Sequence, residues 1–421
     1  MKTKVKRIVC AVLTALVMGG CQGKQAISTG TAVSLKVGIW DSNQEGGITG
    51  VLKIFIQETG INAAVEVTPW NEYWTLLEAA ATGGSLPDVF WMHSNQAQRY
   101  GTNGMLLDLT DRVATSNVAN MANFPADLVN LYTFSGKHYA IPKDMDTIAL
   151  WYNKTIFDEV GLAYPNENWT WDDLKSAARK LTDASKNRYG IDFRPGEPQT
   201  EWANAIYQNG GFVISNDKKK SGFDNPATIA AFEYMVGFVQ EGIAPPLAIT
   251  ADNDVNALFQ SGIIAMGQFG SWSLSSFKAN DYIRQNCDVA VLPASPTGKR
   301  ATIYNGLGWA AAAGGKHPEE AWKLLEFFSR EDIQRRLSES GIAMSAYNGT
   351  AAPFVQGFPE FNVKAYIDQL PDAVFRPYSK NTVVWEEMAI QALNDAWSGA
   401  RPVAAVCRDI AQRMNVMLAA E

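Results

Sequence analysis

KHYAIPKDMDTIALWYNKTIFDEVGLAYPNENWTWDDLKSAARKLTD, residues 137–183, continued by ASKNRYG to Gly190, marks where the chain leaves one structural unit and enters another. It opens with a short apolar segment broken by Pro142, then a polar run carrying Asp144 and Asp146. The apolar run Ile148–Tyr152 follows, whose β-branched and aromatic residues predict a strand. Thr170 with Asp173 three residues later forms a capping box, and Leu174, Ala177, Ala178 and Leu181 then fall on one helical face.

Working back toward the N-terminus, SLKVGIW places Leu35, Val37 and Ile39 in the alternation of a strand ending at Trp40. In open α/β sheets ligands sit beyond the carboxyl ends of strands, so Trp40, Asp41 and Asn43 stand where a ligand would be met. Gly46, Gly47 and Gly50 lack the GxGxxG spacing of a dinucleotide site and read as a turn into a helix. AAVEVTP is a second strand, and Asn71 a helix cap with Trp74, Leu77 and Ala81 on one face. SLPDVFWMHSN is a third strand with polar and aromatic residues at its carboxyl end. The β-α-β-α-β order predicts a largely parallel sheet.

Toward the C-terminus, Asn225 and Pro226 start a helix with an apolar stripe over Ile229, Phe232, Met235, Val236 and Val239, closed by Gly242. Strands are expected at Ile263–Met266 and Val289–Pro293, and YNGLGWAAAAGG reads as an extended segment returning to the first unit. Helices are expected from Pro318, with Trp322, Leu325 and Phe328 on one face, and over Val403–Ala419.

A chain of 421 residues exceeds one ordinary core and predicts two α/β lobes. Thirteen Trp, fourteen Tyr and nineteen Phe point to a stacking surface as well as a large core. The N-terminus has four positive charges (Lys2, Lys4, Lys6, Arg7), an apolar run from Ile8 to Met18, then Gly19, Gly20 and Cys21. That is the order of a secretory signal, and the run is too short to span a bilayer, which needs about 20 residues. Gln22–Ala32 suits a short polar tether. Removing residues 1–20 leaves 43 acidic against 32 basic residues, an acidic balance that argues against a nucleic-acid partner. Cys287 and Cys407 are then either a pair or two buried thiols.

Three histidines (His93, His138, His317), none at HExxH spacing, give no metal site, and neither a GxSxG elbow nor a phosphate-cradling loop occurs. No cofactor is expected. Asp144 with Asp146 could be read as a glycosidase pair, but such dyads are usually assembled from separate strands.

The stretch from Tyr139 to Thr182, read as YxIPxDxDTxALxYNKxxFxxxGxxxPxxxWTWDDLxxxAxKLT, resembles the family 1 extracellular solute-binding proteins of ABC importers, the group that includes maltose-binding protein. LPDVFWMHSN with GMLLDLT, EWANAIYQNGG, GSWS, AVLP with NGLGW, and HPEEAWKLLEFF extend the likeness over nearly the whole mature chain. Small residues before Cys21 look like a lipobox, which would make Cys21 the lipidated first residue, although Met18 stands where Leu is more usual.

The resemblance implies a two-lobed periplasmic-binding-protein-like fold of class II topology with three hinge crossings, at Asp144–Asp146, Pro293–Ile303 and Ile342–Tyr347. Residues 33–143 with 300–341 would form the N-lobe and 144–299 with 342–421 the C-lobe. It implies a monomeric receptor without catalysis, which closes on a mono- or oligosaccharide and is then recognised by an ABC permease. A sugar ring wants an aromatic plane for its C–H face and donors and acceptors for its hydroxyl rim. By resemblance Trp91 and Trp272 are stacking positions and Trp202 lies in a segment that supplies another. His93, Ser94 and Asn95 supply hydrogen bonds, and Asp144 and Asp146 accept them. Maltose-binding protein has charged residues where Ser94 and Asn95 stand, which argues against maltose itself. Tyr73, Asn305, Trp309, Arg376 and Trp385 are weaker candidates that packing explains equally well, and Arg376 could pair with a carboxylate across the lobes. Trp171 and Trp322, on helix faces, read as packing. An unrelated exported hydrolase, or the same fold with a polyamine, iron or glycerol phosphate, are the competing readings.

Overall fold

The structure, a computed structural model, describes residues 33–421. The signal segment 1–20, Cys21 and the tether 22–32 lie outside the described residues.

Ser34–Ile39 forms the strand expected, with Leu35, Val37 and Ile39 fully buried. It runs parallel to Asn62–Val67 on one side and to Val89–Met92 on the other, as the β-α-β-α-β order requires. Two further strands, Gly308–Ala311 and Ala140–Pro142, complete a five-stranded sheet in the order 62–67, 34–39, 89–92, 308–311, 140–142. Gly308–Ala311 is antiparallel to both of its neighbours. Four of the five strands therefore run the same way, as expected, and the single reversed strand is the one that enters after the chain has built the other lobe.

The helix after the first strand spans Ser42–Thr59 and takes in Gly46, Gly47 and Gly50, which were expected to form a turn. The Asp41 carboxylate accepts from the Asn43 amide and caps the helix, and that outweighs the weak helix preference of glycine. Gly47 has a second reason to be glycine: a Cβ there would lie 2.1 Å from Ile342 Cδ1. The next helix, Trp70–Gly83, begins one residue before Asn71 with Pro69 as its cap, so Asn71 caps nothing.

Ile148–Asn153, buried along its whole length, is the central strand of a three-stranded antiparallel sheet with Cys287–Ala290 and Met266–Gly270. Met266–Gly270 starts where a strand was expected to end, because Ile263–Ala265 bond instead to Tyr189 in an isolated parallel bridge. Cys287–Ala290 likewise precedes the expected Val289–Pro293. The capping box of Thr170 and Asp173 forms in full on helix Trp171–Leu181. Asn225 caps helix Pro226–Gln240, and helices Pro318–Phe328 and Val403–Ala419 lie where expected. Trp171 and Trp322 are both buried, and Cys287 and Cys407 are free and buried.

Three crossings join the lobes. Asp144–Met145 pairs with Met344–Ser345, bringing the first and third together, and the Asp146 amide donates to the Asn305 carbonyl at 2.8 Å. The second crossing falls later than Pro293–Ile303. Thr302–Tyr304 pairs with Ala373–Phe375, the Ile148 amide donates to Thr302 Oγ1 at 2.8 Å, and Ile303 belongs to the C-lobe core. The chain then joins the N-lobe sheet at Gly308. Here a Cβ on Gly306 would lie 2.1 Å from the Asp144 carbonyl oxygen. Gly306→Ala is expected to destabilise the fold by about 1–3 kcal/mol, lowering the melting temperature by at least about 3 °C. An unchanged melting temperature would contradict this close approach.

Candidate functional site

The crossings form the floor of the site. Lys143 is fully buried, donates to Gln44 Oε1 at 3.1 Å, pairs with the Asp144 carboxylate, and sits 4.3 Å above the Trp91 ring. The other Asp144 oxygen accepts from the Leu307 amide at 2.8 Å, so both of its oxygens are committed to the fold. Asp146 accepts from the Gln199 side-chain amide. Burial first, and then the Asp144 charge, push its carboxyl up to about 8, against the pull of the Gln199 hydrogen bond, Arg376 and Lys143. With Asp144 tied to lysine and to a backbone amide, the two carboxyls do not form a free dyad.

The N-lobe wall grows from the carboxyl ends of its first and third strands. Trp40 meets Tyr73 and Trp70 edge-on at 5.1 Å, Trp91 edge-on at 4.9 Å, and Trp74 at 5.9 Å. Of this cluster Trp70 is the most open, at 41 % exposed, and it also lies 5.4 Å from the His93 ring. Trp91 is fully buried beneath Trp40 and Lys143, with Trp309 at 6.0 Å, so it supports the aromatic wall rather than presenting a face. Tyr73 donates its hydroxyl to the Trp91 carbonyl at 2.9 Å and is buried too. Asp41 is occupied by its cap, and exposed Asn43 donates its side chain to Asp41 at 3.0 Å.

His93 Nδ1 lies 2.7 Å from Asn95 Oδ1 and accepts from the Asn95 amide, which caps the helix Ser94–Thr102. Its Nε2 is 3.4 Å from Asn305 Nδ2. Burial, helped by the positive charge of Arg376, lowers the imidazole to about 3, so His93 is neutral across physiological pH. The Ser94 hydroxyl is buried without a partner.

Arg376 and Glu386 close the site from the C-lobe. Their side chains bond at 2.7 Å, both buried, and burial raises the Glu386 carboxyl against the pull of Arg376 and Asn95. Arg376 Nε and Nη1 and Asn305 Oδ1 are buried without partners. Helix Thr382–Trp397, which carries Glu386, packs on the N-lobe helix Ser94–Thr102. Trp272 is 42 % exposed, its ring lying against Gly270, where a Cβ would come within 2.1 Å of it.

Trp202 stands apart from this set. It is fully buried against Phe223 and Phe232 and donates Nε1 to the Pro195 carbonyl at 3.1 Å. Packing against these two rings accounts for its burial. Trp309, stacked on Phe328 at 4.1 Å, and Trp385, bonded to Ser379, are core residues as well. Sequence reasoning missed Trp70, Lys143, Gln199 and Glu386. Trp70 had a signal, since TPWNEYW sets three aromatics within five residues after a strand, whereas Glu386 reads as one more polar residue of a helix. Among the described residues no group of three or more His, Cys, Asp or Glu could hold a metal ion.

A five-stranded sheet with an antiparallel late entrant, a second sheet beyond three crossings, and polar groups gathered between them agree with a match over residues 41–335 to the bacterial extracellular solute-binding proteins. The chain belongs to that family. A putative binding protein of Brucella abortus is 25 % identical over 375 residues, covering 87 % of this chain and 89 % of the relative. The galactooligosaccharide-binding protein of Bacillus subtilis is 24 % identical, covering 77 % and 76 % of the two chains. The maltotriose-binding protein of Pyrococcus abyssi is 28 % identical, over 60 % of this chain and 53 % of its own. Among solved structures, an ABC substrate-binding protein of Listeria monocytogenes, in complex with cycloalternan, superposes with a TM-score of 0.84 at 22 % identity, covering 92 % and 99 %. This solute-binding protein therefore has the two-lobed fold of an importer's receptor.

Proposed function

We propose that this solute-binding protein is the carbohydrate receptor of an ABC importer, that it binds a mono- or oligosaccharide between its lobes, and that it delivers the sugar by lobe closure without catalysing a reaction. One observation carries the reading. Buried hydrogen-bonding groups without partners, Ser94 Oγ, Asn305 Oδ1 and Arg376 Nε and Nη1, come from both lobes and a crossing, beside an open indole at Trp70. Buried polar groups are ordinarily satisfied, so such a set fits a ligand bearing many hydroxyls. Relatives that bind galactooligosaccharide and maltotriose support the same ligand class. The chain would be exported by its first twenty residues, anchored at the outer face of the membrane through a lipidated Cys21, and monomeric, with the permease and the sugar as its partners.

Of the predicted site residues, Trp40, His93, Ser94, Asn95, Asp146, Trp272, Asn305 and Arg376 are kept for the ligand and Trp70 is added. Tyr73, Trp91 and Asp144 shape the site from behind, and Asp41 and Asn43 hold the helix cap. Trp272→Ala should weaken sugar affinity at least about tenfold, the roughly 1.4 kcal/mol of a lost stacked aromatic, while leaving the fold intact. Unchanged affinity would remove Trp272 from the site. Thermal-shift screening of residues 33–421 against neutral mono- and oligosaccharides, a polyamine, ferric ion and glycerol phosphate tests the ligand class, since a ligand that binds only the folded chain raises its melting temperature. A shift from a sugar alone is expected. A shift from one of the others alone, or release of smaller sugars on incubation, would sink the reading.

A further inference from the structure

A second concavity of about 740 Å³ opens on the C-lobe side of the crossings, lined by Tyr207, Phe212, Lys218, Phe375, Arg376 and Tyr378 among others. It has two walls. One is the hairpin closed by the bridge Ile214–Ser221, whose turn brings the Lys218 amide to the Ser215 carbonyl at 2.8 Å. The other is the segment after Ala373–Phe375, where Phe375 meets Tyr378 edge-on at 5.9 Å and Tyr304 at 5.5 Å.

Three features separate this hollow from ordinary surface relief. Lys218 holds a left-handed backbone, φ 60°, a conformation that a side-chain-bearing residue adopts at a cost and that recurs where function over-determines the chain. Its ammonium lies 3.3 Å from the Tyr378 ring centroid and makes no ion pair among the described residues. Half burial drives that ammonium down to about 8, only partly offset by Glu421. Arg376, finally, belongs to both places: it lines this concavity while its guanidinium bonds to Glu386 beside His93 in the cleft.

Aromatic side chains beside a donor that lacks an acceptor are the recognition set of a sugar unit, and the volume is that of a small-molecule site. Building on the carbohydrate reading above, we propose that the concavity is a distal subsite. It takes the far sugar unit of an oligosaccharide whose first units lie between the lobes, with the ring on Phe212 and a hydroxyl accepting from Lys218. Arg376, which lines this concavity and bonds to Glu386 in the cleft, is the wall the two share.

The test is calorimetric titration of residues 33–421 with gluco-, galacto- and chito-oligosaccharides of two to five units, on the natural chain, Phe212→Ala and Lys218→Gln. In at least one series, affinity should rise about tenfold or more as the chain lengthens past two or three units. Both variants should lose that rise while keeping the affinity for the shortest ligand that binds, which also reports that they are folded. Binding that does not depend on length, a length dependence that both variants preserve, or equal weakening at every length would overturn the subsite while leaving the cleft reading standing. Absence of binding by every member of all three series would instead remove the carbohydrate reading, and the subsite with it.

Discussion

Lys143→Ala is expected to destabilise the protein by about 3–5 kcal/mol, the cost of leaving a buried charge without its partner. The lysine lies at the first crossing with its stem and ammonium out of water, paired with Asp144, bonded to Gln44 and set over Trp91. Truncation strands the Asp144 carboxylate, empties the space above the indole and frees the Gln44 carbonyl, and these effects act on one small volume. The loss is read from chemical denaturation of the two chains. Lys143→Met combined with Asp144→Asn removes both charges and keeps most of the volume, so it should lose much less than the alanine variant, since a matched apolar pair can equal a buried ion pair. A Lys143→Ala chain within about 1 kcal/mol of the natural one would show that the pair does not hold the crossing.

Asp146→Asn should flatten the dependence of stability on pH. In the fold the Asp146 carboxyl stands at about 8 against an ordinary 3.8, because burial and the Asp144 charge disfavour ionisation more than Gln199, Arg376 and Lys143 favour it. Between those two values the folded chain keeps a proton that the unfolded chain has released. The contribution is therefore fully present below about pH 4 and is lost as pH rises through about 8, by at most about 1.4 kcal/mol per pH unit. Asparagine mimics the protonated acid and cannot titrate. Asp192, raised to about 6 chiefly by burial, and Glu201, raised by burial and by Asp192, slope the same way in both chains, so the difference between the chains is what isolates Asp146. Parallel stability curves for the two chains from pH 5 to 8 would contradict this.

Local chemistry carried most of the fold. Thr170 and Asp173 form their box, Asn225 caps its helix, and Ile148–Asn153 is a strand because an unbroken apolar run buried on both faces has no other use. What failed was decided at longer range. Gly46, Gly47 and Gly50 sit in a helix that Asp41 caps, and Gly47 is glycine because Ile342, almost three hundred positions on, leaves no room for a Cβ. The second crossing moved because Thr302 bonds to Ile148 and Ile303 fills the C-lobe core, neither of which is visible in the residues around them.

In the site, the distinction between a tryptophan that faces solvent and one that fills a core was not legible. Trp202 and Trp272 each follow a polar segment, but Phe223 and Phe232 enclose the first while the second lies on Gly270. The carboxylates differ as well: Asp144 is tied into the fold through both oxygens, whereas Asp146 accepts from the Gln199 side chain.

The central claim, that a sugar is held between the lobes with Trp272 covering its apolar face, is tested most directly by calorimetric titration of residues 33–421 with the sugar that gives the largest thermal shift. One saturable site per chain is expected, with a negative heat-capacity change from burial of apolar surface, and with affinity reduced at least about tenfold in Trp272→Ala. Heat of binding from no carbohydrate, or the same affinity in the two chains, would contradict it.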